Sequence, residues 1–237
     1  MYSKITTQSG SWVKRHAHNT RFETALALAT RYKGLEVLDY GAGDGHFAKR
    51  LLSKAPQVTA YEPLGHMHEQ LRQNALDEIS GGRIIAERQY SNLGVAKYDL
   101  IFCLEVLEHL PERILLRSLE ELQSLLSPTG VLIISVPIET GVSGLLKNCI
   151  RKMLRKPHHG GTWPNILKSA LNMPVGRFPG PANCSYIPSH IGFSHKSLRP
   201  KFEASGFSVI DTQFSPFPWF HGVLNSQVFF VLRHSPS

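Results

Sequence analysis

A chain of 237 residues with 42% hydrophobic and 19% charged side chains can bury a large core as one domain, with room for a small subdomain. That composition excludes disorder, collagen-like repeats and coiled coil; no apolar run reaches the roughly 18–20 residues of a membrane span, and MYSKITTQSG holds no apolar core of a secretory signal. The net charge of +8 is local: between Glu139 and Glu203 there are ten basic residues and no acid, while the rest of the chain has 16 basic against 18 acidic residues. Three scattered cysteines, Cys103, Cys149 and Cys184, form neither a disulfide framework nor a zinc pattern and point to a reducing cytoplasm.

RFETALALATRY (21–32) has helical apolar spacing and no breaker. Glu36–Tyr40 reads as a strand running into glycines, with a helix from His46; VTAYEP (58–63) is a second strand, 64–79 a polar helical pattern, and RIIAER (83–88) a third strand. YDLIFCLE (98–105) is apolar enough for a strand buried on both faces. RILLRSLEELQSLL (113–126) is an amphipathic helix closed by Ser127-Pro128-Thr129-Gly130, and VLIISVP (131–137) a fifth strand. The alternation predicts right-handed crossovers and a parallel sheet. Ten of the fifteen prolines lie in 137–218, so an irregular region follows. SHKSLRPKFEASGF (194–207) predicts a helix with a serine N-cap and Pro200 in its first turns. FSVIDTQF and SQVFFVLRH are two strands separated by about ten residues, too few for a helical crossover, so they pair antiparallel.

Val37-Leu38-Asp39-Tyr40-Gly41-Ala42-Gly43-Asp44-Gly45 is the most informative stretch. Glycines permit a sharp turn and close approach of a ligand. The dinucleotide fingerprint is G-x-G-x-x-G; here the spacing is G-x-G-x-G, and His46 takes the place of the third glycine. Asp39 would repel a phosphate and suits a cationic amino group. Glu62, 23 residues later at the end of the second strand, can accept from both hydroxyls of a ribose. A ligand with an amino acid end, a ribose and no phosphate is S-adenosylmethionine. Alone, such a turn can equally just pack a strand on a helix.

With VLDYGAGDG, VTAYEP, YDLIFCLEVLEHL and LSPTGVLIISVP in order, the chain resembles the class I S-adenosylmethionine-dependent methyltransferases, closely over 34–137 and more loosely over 190–233. The resemblance implies an α/β, Rossmann-like, doubly wound seven-stranded sheet of order 3-2-1-4-5-7-6 with strand 7 antiparallel. It implies one methyltransferase domain over 1–237, with an N-terminal helical cover (1–33) and a basic acceptor-side lid (138–193). Its cofactor residues would be Asp39, Gly41, Ala42, Gly43, Gly45, Glu62, Pro63, Leu104 and Glu105. The family's acid after strand 3 is missing from RQYSNLGVAK; Gln89, Tyr90 or a backbone carbonyl is left to meet the adenine.

Glu105, Glu108 and His109 stand where strand 4 ends, the end at which parallel sheets bind ligands, and one helical turn would bring them together. Three readings compete. His109 is a general base for the acceptor's proton. Or Glu105, Glu108 and His109, with His190, hold a divalent metal such as Mg2+, as similar Glu-x-x-Glu-His motifs do in small-RNA 2′-O-methyltransferases and ubiquinone-pathway O-methyltransferases. Or Glu105 touches the methionine part of the cofactor while His109 satisfies a backbone group. The candidate catalytic residues are His109, Glu105 and His190, the last of which can equally anchor a loop.

GLLKNCIRKMLRK sets Leu146, Cys149, Ile150, Met153 and Leu154 on one helical face and five cations on the others. That suits an anionic membrane surface, a polyanionic acceptor, or a lid packed on the domain with solvated charges. Trp163, Phe178, Tyr186, Phe214, Phe217, Trp219 and Phe220 line a pocket or belong to the core. No RNA-binding module is visible, and Lys14, Arg15 and Arg21 cover the cofactor site or touch the acceptor. The expectation is methyl transfer to oxygen of a small-molecule, glycan or lipid-linked acceptor, in the cytoplasm or at its membrane surface. The rivals are a dinucleotide oxidoreductase, a non-catalytic binding protein and a metal-dependent RNA 2′-O-methyltransferase.

Overall fold

In a computed structural model the described residues are 12–32, 36–94, 98–141, 143–145, 148–149, 162–171, 173, 175, 186–187, 193–220 and 225–236. In chain order the elements are α1 (Trp12–Arg31), β1 (Val37–Tyr40), α2 (His46–Leu51), β2 (Val58–Tyr61), α3 (Gly65–Asn74), α4 (Leu76–Ser80), β3 (Ile84–Glu87), β4 (Tyr98–Leu104), α5 (Glu112–Leu125), β5 (Leu126–Pro137), α6 (Trp163–Ala170), α7 (Leu198–Ala204), β6 (Phe207–Ser215) and β7 (Gln227–His234). The strands form one seven-stranded sheet of order β3-β2-β1-β4-β5-β7-β6. β1 to β5 pair parallel, and β7 runs antiparallel to both β5 and β6. This is the expected order and the expected reversed strand.

Side chains of the central strands alternate between two cores, one on each face. Leu38, Ile101, Leu132 and Ile134 meet Leu115, Leu119 and Leu122 of α5 and Phe202 of α7. Val37, Leu100, Phe102, Val131 and Ile133 meet Phe22 and Leu26 of α1, Phe47 and Leu51 of α2 and Leu71 of α3. Helices on both faces explain why β4 and β5 read as unbroken apolar runs. The register sets Asp39 of β1 between Ala60 of β2 and Phe102 of β4, at the middle of the sheet. The edge strand β6 carries an irregularity between Val209 and Asp211, and Asp211 pairs with Arg31 at 3.0 Å.

Several boundaries differ from expectation. The helix at 21–32 begins at Trp12. The pattern over 64–79 is two helices, broken at Ala75, whose φ of −116° is not helical. Beside the break, the Asn74 side chain donates to the Asp44 carbonyl at 3.0 Å. β5 starts at Leu126, which pairs with Tyr98, so the Ser127–Gly130 stretch bulges within the strand and does not precede it. Over 194–207 a 3-10 turn (His195–Ser197) leads into α7, with Pro200 in the first turn; neither Ser194 nor Ser197 caps with its side chain, and Ser197 Oγ donates back to the Ser194 carbonyl at 2.8 Å. Among the described residues no helix is long and apolar enough to cross a membrane.

Candidate active site

β1 ends at Tyr40, and the chain reverses through three glycines with φ of 81°, 57° and 80° at Gly41, Gly43 and Gly45. Gly41 is the most constrained, since a Cβ there would lie 2.5 Å from Val106 Cγ2 in the turn after β4. The Gly41 and Ala42 N–H groups both donate to the Tyr61 carbonyl, at 2.8 and 2.9 Å, which closes the turn onto the end of β2. Glu62 follows. Its Oε2 accepts from Gly43 N–H at 2.8 Å and its Oε1 from Leu64 N–H at 2.9 Å. Burial raises its pKa above the usual carboxylate range, and those two N–H groups act against the rise.

Asp39 is buried, and its Oδ2 meets no hydrogen-bond donor among the described residues. Burial, and then the Glu62 carboxylate nearby, push its pKa up to about 8. Two acids and a ring of backbone N–H groups thus share the carboxyl end of β1 and β2. Ala42 is buried in the turn, Leu104 is half-buried at the end of β4, and Pro63 is exposed beyond Glu62. For the adenine candidates, the Tyr90 hydroxyl lies 2.7 Å from Ser124 Oγ.

The second group of acids stands at the end of β4. Glu105 has φ of 58°, in the left-handed region unusual for a side chain of this kind, and its N–H donates to the Ser135 carbonyl of β5 at 2.9 Å. A 3-10 turn, Leu107–His109, follows. The trio is therefore gathered by a left-handed bend and a 3-10 turn, where the spacing had suggested one helical turn. Arg21 of α1 reaches over the strand end and pairs with Glu105 at 3.3 Å. Glu108 is fully buried; that burial and the neighbouring Glu105 carboxylate hold its pKa well above the usual range, Arg21 acts in the opposite sense, and Glu139 adds to the rise.

His109 Nδ1 lies 2.9 Å from the Ile187 carbonyl, and the Ile187 N–H donates to the His109 carbonyl at 2.7 Å. The ring stacks on Tyr186 at 4.5 Å between centroids. Since a carbonyl only accepts, Nδ1 carries the proton and Nε2 the lone pair of the neutral ring. Nε2 is 3.9 Å from Glu108 Oε1. Among the described residues no group of three or more His, Cys, Asp or Glu side chains is arranged to hold a metal ion.

His190, Phe178 and most of the basic amphipathic run 144–156 lie outside the described residues. Of the aromatic candidates, Trp163, Tyr186, Phe217, Trp219 and Phe220 are exposed, and Phe214 packs against the core. Sequence reading passed over Glu139. It is buried at the carboxyl end of β5, and its position just after VLIISVP was the available signal. A cavity of about 760 Å3 lies at the opposite, amino end of β1 and β4, between Tyr32, Leu51 and Leu100, and contains none of these groups.

A family model for a methyltransferase domain matches residues 13–212. Among curated proteins, the chain is 32% identical over 114 residues to a tRNA U34 carboxymethyltransferase of Nautilia profundicola, covering 45% of this chain and 35% of that one. It is 28% identical over 137 residues to a ubiquinone biosynthesis O-methyltransferase of Haemophilus ducreyi, covering 54% and 56%. The chain thus spans little more than half of either relative at most. Among solved structures, magnesium protoporphyrin IX methyltransferase of Synechocystis, with SAH bound, superposes with a TM-score of 0.60 at 17% identity, over 98% of this chain and 97% of that one.

Proposed function

The chain belongs to the class I S-adenosylmethionine-dependent methyltransferases, and on that premise we propose that it carries the sulfonium methyl group to an oxygen of a small-molecule, glycan or lipid-linked acceptor. The observation that carries the cofactor part is Asp39, a buried carboxyl whose Oδ2 has no donor among the described residues, set beside Glu62 at the glycine turn. The Ala48 backbone N–H offsets only part of the cost of burying this acid; an oxygen left without a donor is unfavourable, and the ammonium of the cofactor would supply both donor and charge. Each Glu62 oxygen accepts one N–H and retains a second lone pair, so the pair can accept from vicinal ribose hydroxyls. Gly41, Ala42, Gly43 and Gly45 would cradle the ligand, with Pro63 and Leu104 as walls. Glu105 and Arg21 would meet the methionine end as a linked acid and base.

For the acceptor, His109 is the proposed base. Its bond to the Ile187 carbonyl orients Nε2 as the basic nitrogen. Bound S-adenosylmethionine would supply an electrophilic methyl group whose sulfur departs as a neutral thioether, and His109 Nε2 would take the proton that the acceptor oxygen gives up. Most of the rate would come from alignment of oxygen, carbon and sulfur. His190 remains a proposed catalytic residue. The described members of the metal set weighed from the sequence, Glu105, Glu108 and His109, are not arranged to hold Mg2+, so no step is assigned to a metal. Residues 1–33 would act as cover, supported by the Arg21–Glu105 pair, and 138–193 as lid, supported by the Ile187 contact with His109.

The relative named for ubiquinone biosynthesis, an O-methyltransferase, supports an oxygen of a small molecule, and the tRNA relative keeps RNA as the rival. A cytoplasmic site of action is part of the proposal, and the free thiols of Cys103 and Cys149 are compatible with a reducing compartment. The test is incubation with tritium-labelled methyl donor and cell extract, split into lipid, small-molecule, glycan, RNA and protein fractions. Label should enter one of the first three; label confined to RNA or to protein would overturn this reading.

A further inference from the structure

The acid-free stretch surfaces in α6. This helix buries Ile166 and Ser169, and Ser169 Oγ donates to the Glu139 carbonyl at 2.9 Å, which seats the helix on the carboxyl end of β5. The opposite face carries Trp163, Leu167 and Leu171, four residues apart and so in one stripe, each more than half exposed, with Lys168 beside them. A second apolar group stands at the same end of the sheet. Phe217, Trp219 and Phe220, the last two in a 3-10 turn between β6 and β7, are exposed, Trp219 to 74%. The Asn225 side chain clasps the Phe217 backbone through two bonds of 2.6 Å. Ser226 accepts the Ile138 N–H at 3.0 Å, which ties this turn to the residue before Glu139.

Exposed Lys196 and Arg199 stand at the start of α7. The short turn through Ser205 and Gly206 sends α7 back along β6, so its start lies at this end as well. Large exposed apolar side chains at one end of the sheet mark an interaction surface. The charge selects the partner. A second copy would bring Lys168, Lys196 and Arg199 against their own kind. RNA would use the cations but not a stripe of Leu167 and Leu171. An anionic phospholipid surface uses both, with apolar side chains at the acyl boundary and lysines among the headgroups.

We propose that the Trp163/Leu167/Leu171 face of α6, with the Phe217–Phe220 turn, docks on an anionic phospholipid membrane and holds the acceptor side of the sheet against it. This deepens the acceptor reading and rests on it for its purpose, since a lipid-linked acceptor would enter from the bilayer. The contact itself needs no methyl transfer, so the two can fail separately.

The experiment is flotation of the full chain with phosphatidylcholine vesicles, with and without phosphatidylglycerol, paired with calorimetry of S-adenosylmethionine binding. The chain should float with the anionic vesicles, far less with the neutral ones, and less as salt rises. Leu167→Ser/Leu171→Ser should lower the bound fraction on the order of tenfold and Lys168→Glu several-fold, with cofactor affinity unchanged in both. Three results overturn the docking: wild-type protein that binds cofactor but never floats, equal flotation of the Leu167→Ser/Leu171→Ser variant, or a concentration-dependent dimer dispersed by that variant without flotation. Flotation without cofactor binding would overturn the methyltransferase reading and leave the docking standing.

Discussion

Asp39 sits on the central strand with Ala60 on one side and Phe102 on the other, a place where a carboxylate is hard to keep charged. Burial and Glu62 push its pKa up to about 8, so without ligand the carboxyl keeps its proton at neutral pH. Pairing with the ligand's ammonium requires that proton to leave. Cofactor affinity should therefore rise with pH up to about 8, by at most about tenfold per unit, and fall again as an α-amino group of pKa about 8 loses its own proton. Calorimetry from acid to alkaline pH should trace this bell. Asp39→Asn should remove the acid limb and weaken binding about 10–100-fold at the optimum, the value of one charged hydrogen bond. A flat profile in the wild type would take the ammonium away from Asp39. His109 invites a separate measurement: if Nε2 takes the acceptor's proton, His109→Ala lowers turnover at least about 100-fold with cofactor affinity unchanged. Unaltered turnover would leave the bond to Ile187 as a purely structural one.

Between elements, the glycine turn after β1 is fitted against the bend after β4. Gly41→Ala would place a methyl 2.5 Å from Val106 Cγ2 on a backbone of φ 81°, so it both strains the turn and displaces the segment that carries Glu105 and Glu108. The cost should be about 1–3 kcal/mol, each kcal/mol lowering Tm by about 2–4 °C, together with reduced cofactor affinity. Val106→Ala in the same chain should return part of both; no recovery would show that backbone strain alone acts. Strand order could be read from the sequence because helices on both faces make β4 and β5 continuously apolar and because the last loop is too short for a crossover. The glycine spacing and the acids Asp39 and Glu62 are local patterns as well. The left-handed Glu105 has no sequence signal, since nothing in its type favours φ of 58°. The Arg21–Glu105 pair, the burial of Glu139 and the Leu126–Tyr98 pairing exist only once distant segments pack.

At the scale of the molecule, the same acids should govern stability in the empty protein. A carboxyl whose folded pKa is raised contributes stability that is complete below its unfolded pKa and is lost as pH climbs through the folded one. For Asp39 that window runs from 3.8 to about 8, and Glu62 and Glu108 shift in the same sense. His46 and His68 shift the other way: burial lowers their pKa from 6.5, so their contribution is present above that pH and lost as pH falls. Between pH 6.5 and about 8 the two histidines no longer contribute to the slope, and Asp39 sets the fall. Each proton retained on folding removes about 1.4 kcal/mol of stability per pH unit there. The Tm of the empty protein should fall by several degrees across this window, measured by scanning calorimetry in buffers of small ionisation enthalpy. Asp39→Asn should flatten the fall and raise Tm at its upper edge, even as it weakens cofactor binding. Saturating S-adenosylmethionine should flatten it too, because the ligand's ammonium then holds Asp39 ionised at no cost in unpaired charge. A Tm that stayed level over the same interval would mean that Asp39 is already ionised without ligand, and that the cleft is built for its ligand's charge before the ligand arrives.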